Sequence, residues 1–129
     1  DFCLSRGLGD VYKRQNYGYQ WERNAQMIRV LEMLKHNPDT RQACISIYDG
    51  KEIGDYTFDT PCTYAVQFTI VNGRLDMCVT MRSNDLWYGF CNDQYQFSKL
   101  QEMASKHLKI ETGVYYHFAH NMHLYNNKI

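Results

Sequence analysis

An Asn-Gly pair at residues 72–73, between two β-rich runs, constrains the fold more than any other feature of the sequence. Residues 63–71 and 75–81 are rich in β-branched and apolar side chains, which favour strands. Asn-Gly is typical of two-residue hairpin turns because both residues tolerate a positive φ angle. The sequence therefore predicts an antiparallel hairpin over residues 63–81.

Helices are predicted on both sides of this hairpin. Apolar residues recur at helical spacing over 21–35, and Asn-Pro at 37–38 ends that helix because a residue before proline avoids the α region. A second helix is predicted over 95–107, with its buried face formed by Phe97, Leu100 and Met103. Further predicted elements are strands at 43–48 and 114–119 and the start of a helix at 122–125. Clustered strands with helices packed on one side predict the α+β class.

Composition excludes several classes of protein. The 129 residues suffice for one domain, and 14 Lys and Arg balance 14 Asp and Glu, so no basic excess indicates a nucleic-acid or membrane surface. The apolar runs are too short to span a bilayer. The five cysteines include no CxxC spacing, which argues against a disulfide framework or a zinc site and favours a reduced, cytoplasmic setting.

Residues 1–15 differ from the rest of the chain. They lack helical or strand periodicity, and SRGLGDVYKRQ resembles a translated adapter sequence found at the ends of metagenomic fragments. We therefore interpret residues 1–15 as a non-native or disordered leader, and a genuine flexible arm is the alternative. The folded part is expected to comprise residues 16–129.

Cys62 is a candidate nucleophile. It follows Pro61, which fixes the entry of the chain into the predicted strand that begins at residue 63. A thiolate at such a position acts as a nucleophile when a cation stabilises it. The alternative is a buried, inert thiol, a frequent environment for free cysteine.

Arg82 and Ser83 are candidate phosphate ligands. Arginine followed by serine, where a strand gives way to a loop, offers a fork of N–H donors and a hydroxyl. The alternative is a surface salt bridge between Arg82 and Asp85.

Three histidines, at positions 117, 120 and 123, raise the question of a metal site. The sequence has no HExxH pattern and no carboxylate at ligand spacing, and a strand over 114–119 separates His117 from the other two. We therefore predict no metal site. Polar contacts to a sugar are the preferred interpretation of His123 and Tyr125.

Five motifs are informative when taken together: NYGYQW at 16–21, NPDTR at 37–41, PCTYAVQF at 61–68, MRSNDLWYGFCNDQYQF at 81–97 and HFAHNMHLYNN at 117–127. They resemble the thymidylate synthase family, and most closely its phage-type deoxycytidylate hydroxymethylases. They occur in the order and register of that family, and the similarity covers nearly everything after residue 15. The resemblance implies a mixed sheet with helices packed on one face. It also implies a homodimer that binds a pyrimidine nucleoside monophosphate and 5,10-methylenetetrahydrofolate.

The resemblance also implies residue roles. Catalysis would involve Cys62 as the nucleophile that adds to C6 of the pyrimidine, Asp85 near the folate, and Tyr17 ordering water near C5. Substrate binding would fall to six further residues: Arg82 and Ser83 on the phosphate, Arg41 on the phosphate of the partner subunit, Asp93 on the base, and His123 and Tyr125 on the deoxyribose hydroxyl.

One departure from the family pattern bears on the substrate. Asp93 stands where synthases carry an asparagine, and a carboxylate suits the N3 and amino edge of cytosine. We therefore expect a (d)CMP hydroxymethylase, with thymidylate synthase acting on dUMP as the alternative. Asp93 as the N-cap of the helix at 95–107 is the structural alternative.

Other family segments lack a counterpart in this sequence. They are the upstream phosphate loop, the catalytic glutamate and the C-terminal closing segment. Residues 16–129 are therefore expected to be part of a catalytic domain, and an inactive nucleotide-binding fragment is a further alternative.

Overall fold

A mixed four-stranded sheet with two helices accounts for the described part of the chain. The computed structural model describes residues 17–47, 62–87 and 89–126, with side chains from residue 25 onward. The elements are α1 (Tyr17–His36), β1 (Cys44–Ser46), β2 (Thr63–Val71), β3 (Arg74–Asp85), α2 (Phe90–Leu108) and β4 (Glu111–His123). The strand order is β1–β2–β3–β4, antiparallel for the first two pairs and parallel between β3 and β4. The predicted α+β class is confirmed.

The predicted hairpin joins β2 to β3. Asn72 has a φ of 51° and Gly73 a φ of 74°, and Val71 pairs directly with Arg74 across the turn. Both turn residues thus adopt the left-handed conformation that a tight hairpin of this kind requires. The hairpin brings the start of β2 next to the far end of β3, where Thr63 pairs with Met81.

The parallel pairing of β3 with β4 depends on α2, which crosses over the sheet between them. Parallel neighbours need such a crossover because the end of the first strand and the start of the second lie at opposite ends of the sheet. Gln101 of α2 donates from Nε2 to the carbonyl oxygens of Leu75 and Val114, both at 3.0 Å, and so links the helix to both strands. The helix ends at Lys109, which has a left-handed φ of 59°.

The hydrophobic core lies between the helices and one face of the sheet. Its members include Leu34 of α1, Val66 and Phe68 of β2, Leu75, Met77, Val79 and Met81 of β3, and Phe97 and Ala104 of α2. Full burial of one large side chain of this kind contributes about 1.5–3 kcal/mol. On the opposite face, Val114, Tyr116 and Phe118 of β4 are exposed, and we refer to these three residues as the apolar sheet face.

Three details of the predicted elements are wrong. The second helix begins at Phe90, five residues before the predicted start, because a buried aspartate, Asp93, lies in its first turn and obscures the apolar periodicity. Met103 is exposed rather than buried. The helix predicted at 122–125 is absent, since β4 continues to His123, which still pairs with Asp85 of β3. The strand predicted at 43–48 is confirmed as Cys44–Ser46, and Tyr48 lies outside the described residues.

Gly113→Ala is expected to destabilise the protein by about 1–3 kcal/mol. A β-carbon at this position would overlap Oδ1 of Asp76, which accepts a hydrogen bond from the N–H of Val114 at 2.7 Å. It would also come within 3.1 Å of the backbone of Leu75, which yields less readily than a side chain. Denaturant unfolding measures the cost. The control is to make Gly113→Ala in a protein that already carries Asp76→Ala and so lacks the overlapped carboxylate. If Gly113→Ala lowers the free energy of unfolding equally in both backgrounds, this explanation is contradicted.

Candidate functional site

Cys62 and Arg82 lie side by side at one end of the sheet. The N–H of Arg82 donates to the carbonyl oxygen of Cys62 at 2.7 Å, so the β2–β3 ladder fixes their relative position. Nη2 of Arg82 is 3.7 Å from Sγ of Cys62, whose side chain is only 5% exposed. A guanidinium at this distance stabilises a thiolate over a thiol. The structure therefore brings together the predicted nucleophile and the predicted phosphate ligand.

Ser83 and His123 are also neighbours. β3 and β4 run parallel, so their carboxyl ends meet at the same edge, and Oγ of Ser83 lies 3.2 Å from Nδ1 of His123. The ring of His123 packs edge-to-face against Tyr125, with 5.2 Å between ring centroids. Ser83, which is predicted to bind the phosphate, thus contacts His123, which is predicted with Tyr125 to bind the sugar.

Asp85 is wholly buried at the end of β3. Its Oδ1 accepts a hydrogen bond from the N–H of Trp87 at 2.8 Å, and its carbonyl oxygen accepts from the N–H of Gly89 at 3.1 Å. These contacts form the turn that leads from β3 into α2. The alternative considered from the sequence placed Asp85 at the surface, and that location is wrong because Asp85 is wholly buried.

Asp93 is wholly buried in the first turn of α2. The N-cap position is Gly89, four residues earlier, so the alternative that Asp93 caps the helix is wrong. Its Oδ2 instead accepts a hydrogen bond from Nδ2 of Asn84 at 2.8 Å. Asn84 is also wholly buried, although it lies at the end of a strand.

A chain of polar side chains, two of them buried and two half-buried, extends from Asp93, and the sequence interpretation missed it. Oδ1 of Asn84 is 2.7 Å from Nε2 of His117, and Nδ1 of His117 is 2.8 Å from the hydroxyl of Tyr115. We call Tyr115, His117, Asn84 and Asp93 the polar relay. The sequence does carry one signal for the relay. Successive side chains of a strand point to opposite faces, so Tyr115 and His117, two residues apart, share a face of β4.

Burial alters the pKa values of two relay members. Burial lowers the pKa of His117, which favours the neutral imidazole. Burial, and then the negative charge of Asp93, raises the pKa of Tyr115, so its hydroxyl keeps its proton.

Arg41 and Tyr17 are the remaining predicted site residues. The carbonyl oxygen of Arg41 accepts a hydrogen bond from Gln67, which is five residues along β2 from Cys62, or about 16 Å at the usual rise per residue. Arg41 is exposed. Tyr17 begins α1, but its side chain is outside the described ones.

The three histidines considered for a metal site lie in one strand, β4, and His117 and His123 have the partners given above. Within the ranges that the structure describes, no group of three His, Cys, Asp or Glu is arranged to hold a metal ion. Nor does either described helix have the length and apolar character needed to cross a membrane.

Comparison with known proteins decides the family. The sequence profile described as "Thymidylate synthase" matches residues 5–129. The chain belongs to the thymidylate synthase family. The family predicted from the motifs is confirmed, and it is a family of folate-dependent one-carbon transferases. The match includes residues 5–15, which lie outside the described residues, so the interpretation of residues 1–15 as a leader stays a prediction.

Relatives within the thymidylate synthase family are of two kinds. Deoxyuridylate hydroxymethyltransferases of Bacillus phage SP01 and Pseudomonas phage M6 are 40% and 35% identical over 78% and 84% of this chain. A thymidylate synthase of Streptococcus agalactiae is 30% identical over 88% of the chain. The chain spans 27%, 33% and 42% of the lengths of these three relatives. The solved structure of thermostable thymidylate synthase A from Bacillus subtilis superposes with a TM-score of 0.74 at 30% identity, covering 79% of this chain and 36% of that one.

Proposed function

We propose that the complete protein carrying this chain transfers a one-carbon unit from 5,10-methylenetetrahydrofolate to C5 of a cytidylate and releases a hydroxymethylated nucleotide. The observation that carries the proposal is the Cys62–Arg82 pair, with 3.7 Å between Sγ and Nη2. A thiol held beside a guanidinium in a buried position suits nucleophilic catalysis. Membership of the thymidylate synthase family supports the same chemistry.

Cys62 activates the pyrimidine in the proposed mechanism. Its thiolate forms a bond to C6, and the C5–C6 π electrons then make C5 a carbon nucleophile. The folate supplies the one-carbon unit that C5 acquires. Loss of the C5 proton would release tetrahydrofolate and leave an exocyclic methylene on C5, and addition of water to that methylene would give the hydroxymethyl group. The thiolate of Cys62 would then leave C6, which restores the ring. Asp85 and Tyr17 are proposed to assist proton transfer and to order water near C5.

The remaining contacts position the nucleotide. Arg82 and Ser83 would donate to the phosphate, which is well matched to a guanidinium fork and a hydroxyl. Since Nδ1 of His123 already contacts Ser83, a sugar hydroxyl would meet Nε2 of His123 and the hydroxyl of Tyr125. Arg41 is proposed to bind the phosphate held by the partner subunit.

Exposed apolar side chains beside the site suit the folate. Leu86 and Trp87 follow Asp85 directly, and Trp87 is 62% exposed. An indole surface there allows a flat pterin ring to stack.

Asp93 supports cytidylate as the substrate. A carboxylate accepts from the exocyclic amino group of cytosine, whereas the O4 atom of uracil presents only lone pairs. A buried site with one pattern of donors and acceptors rejects the other because mismatched groups stay unpaired. Deoxyuridylate is the second candidate, because both phage relatives named above are deoxyuridylate hydroxymethyltransferases.

Product analysis tests this assignment. The complete protein is incubated with 5,10-methylenetetrahydrofolate and either dCMP or dUMP, and the nucleotides are identified by mass spectrometry. Hydroxymethylated dCMP without dihydrofolate is the expected result. Hydroxymethylated dUMP would establish the second candidate, and methylated dUMP with dihydrofolate would establish a synthase instead.

We also propose that a second copy of the chain covers the apolar sheet face. Tyr116 and Phe118 are 54% and 57% exposed, and they are successive residues on the same face of β4. An exposed patch of large apolar side chains often marks an interface. Sheet-on-sheet contact of two copies would bury them and would carry Arg41 toward the neighbouring site.

Phe118→Asp is expected to shift the complete protein from dimer to monomer, because burying an unpaired carboxylate in the interface is costly. Sedimentation equilibrium measures the change. Ile28→Asp, at an exposed position of α1, is the control and should leave the dimer intact. A dimer that withstands Phe118→Asp would place the interface elsewhere.

A further inference from the structure

The polar relay joins side chains from three elements. Asn84 comes from the end of β3, Tyr115 and His117 come from β4, and Asp93 comes from the first turn of α2. Each of the three contacts is 2.7–2.8 Å long, within the range of a hydrogen bond. Phe90 and Phe97 of α2 pack edge-to-face against His117 and Tyr115, so aromatic rings hold the relay in place.

The hydrogen bonds of the relay run in one direction. An ionised Asp93 only accepts, so Asn84 must donate to it from Nδ2. The carbonyl oxygen of Asn84 then faces Nε2 of His117, and that nitrogen must carry a proton. A neutral imidazole has one N–H, so Nδ1 accepts from the hydroxyl of Tyr115. The lowered pKa of His117 and the raised pKa of Tyr115 keep both groups in these forms.

Reversing the orientation of the Asn84 amide would break its hydrogen bonds to both neighbours in the relay. If the amide of Asn84 turned over, its oxygen would face the carboxylate of Asp93 and its NH2 group would face the N–H of His117. The facing groups would be left without hydrogen-bond partners, which disfavours the reversed arrangement. The hydroxyl of Tyr115 can rotate to donate or accept, so it can donate to the Nδ1 atom that carries no proton when Nε2 donates to Asn84.

We propose that Tyr115, His117 and Asn84 are positioning residues that hold Asp93 as an oriented acceptor, and that this orientation sets the preference for cytosine over uracil. The inference rests on the proposed function, because it takes Asp93 as the group that meets the base. A purely structural role would satisfy buried polar groups and support the fold without affecting nucleotide preference.

Tyr115→Phe is the first test, because it removes only the hydroxyl at the start of the relay. ¹⁵N NMR of the histidine side chains in the complete protein reports which nitrogen of His117 carries the proton. Wild type should show the Nε2–H tautomer with a hydrogen bond at Nδ1, and the variant should keep this tautomer but lose the chemical-shift signature of the hydrogen bond at Nδ1. Calorimetry with dCMP and dUMP should show the ratio of their affinities fall by about tenfold. Tyr95→Phe, exposed on α2, is the matched control and should leave both readouts unchanged.

A pair of substitutions at His117 separates positioning from packing. His117→Gln keeps an N–H donor within reach of Asn84, whereas His117→Leu removes the donor and keeps an apolar side chain. We expect Gln to retain the dCMP preference within about twofold and Leu to lose about tenfold. Equal loss in both variants would mean that the donor is irrelevant, and the relay would then be structural.

The readouts also separate failure of the inference from failure of the proposed function. If wild type prefers dUMP or neither nucleotide, the cytidylate assignment is wrong, and the tautomer measurement still tests the direction of the relay. If wild type prefers dCMP but carries the Nδ1–H tautomer, the relay is wrong. An unchanged preference in both Tyr115→Phe and His117→Leu would overturn it as well.

Discussion

Cys62→Ser is expected to lower the turnover of the complete protein by about 10⁴-fold or more, while nucleotide affinity changes by less than about threefold. Serine is nearly isosteric but carries a far less acidic hydroxyl, and a guanidinium 3.7 Å away cannot ionise it at neutral pH. The proposed phosphate and sugar contacts are made by Arg82, Ser83 and His123, so the nucleotide should still bind. Single-turnover rates and calorimetry measure the two effects separately.

The matched control for this change is Cys44→Ser, at an exposed cysteine of β1. It removes a thiol from the same sheet and should leave turnover at the wild-type level. Turnover retained by Cys62→Ser would remove covalent catalysis from the proposed mechanism. A parallel loss of nucleotide binding would instead assign Cys62 to packing at the start of β2.

Features encoded by neighbouring residues were predictable from the sequence. Asn72 and Gly73 specify a turn whose φ angles few other pairs adopt, so the hairpin follows from two residues. The hairpin register in turn places Met81 opposite Thr63, and the adjacent residues Cys62 and Arg82 then meet. Motif resemblance had placed both at one site, and the strand pairing supplies the geometric reason.

Features that depend on contacts between distant segments were not predictable. From the sequence, Asp93 lies just before a helix predicted to begin at residue 95, so an N-cap is the structural alternative to contact with the base. In the folded chain, Asn84 at the end of β3 lies within 2.8 Å of Asp93 in α2 and 2.7 Å of His117 in β4. In the sequence, a polar residue at a core position interrupts the apolar periodicity of a helix or strand, and its hydrogen-bond partner is visible only in the structure.

The same reasoning explains why β4 was shortened in the prediction. His120, Asn121 and His123 are polar, and polar residues weaken the strand pattern over the second half of this segment. Backbone pairing with Ser83, Asn84 and Asp85 extends the strand regardless of side-chain type. The extension positions His123 beside Ser83, so the irregular end of the predicted strand is where the candidate site forms.

Asp93→Asn is expected to shift the ratio of kcat/KM for dCMP over dUMP toward dUMP by roughly tenfold to a hundredfold. Asparagine is isosteric with aspartate, and Nδ2 of Asn84 can donate to the new carbonyl oxygen as it does to Oδ2 of Asp93. That bond would direct the new NH2 group away from Asn84. If it faces the base, it meets O4 of uracil as a donor and repels the amino group of cytosine.

The structure removes the main competing explanation for such a shift. Gly89 occupies the N-cap position of α2, so the substitution does not exchange one cap for another. Asp39→Asn makes the same chemical change at an exposed position and should leave the ratio unchanged. An unaltered ratio in Asp93→Asn, with the protein still folded, would make Asp93 a structural acceptor for Asn84. Other residues would then select the base, and Asp93 would no longer support a cytidylate substrate.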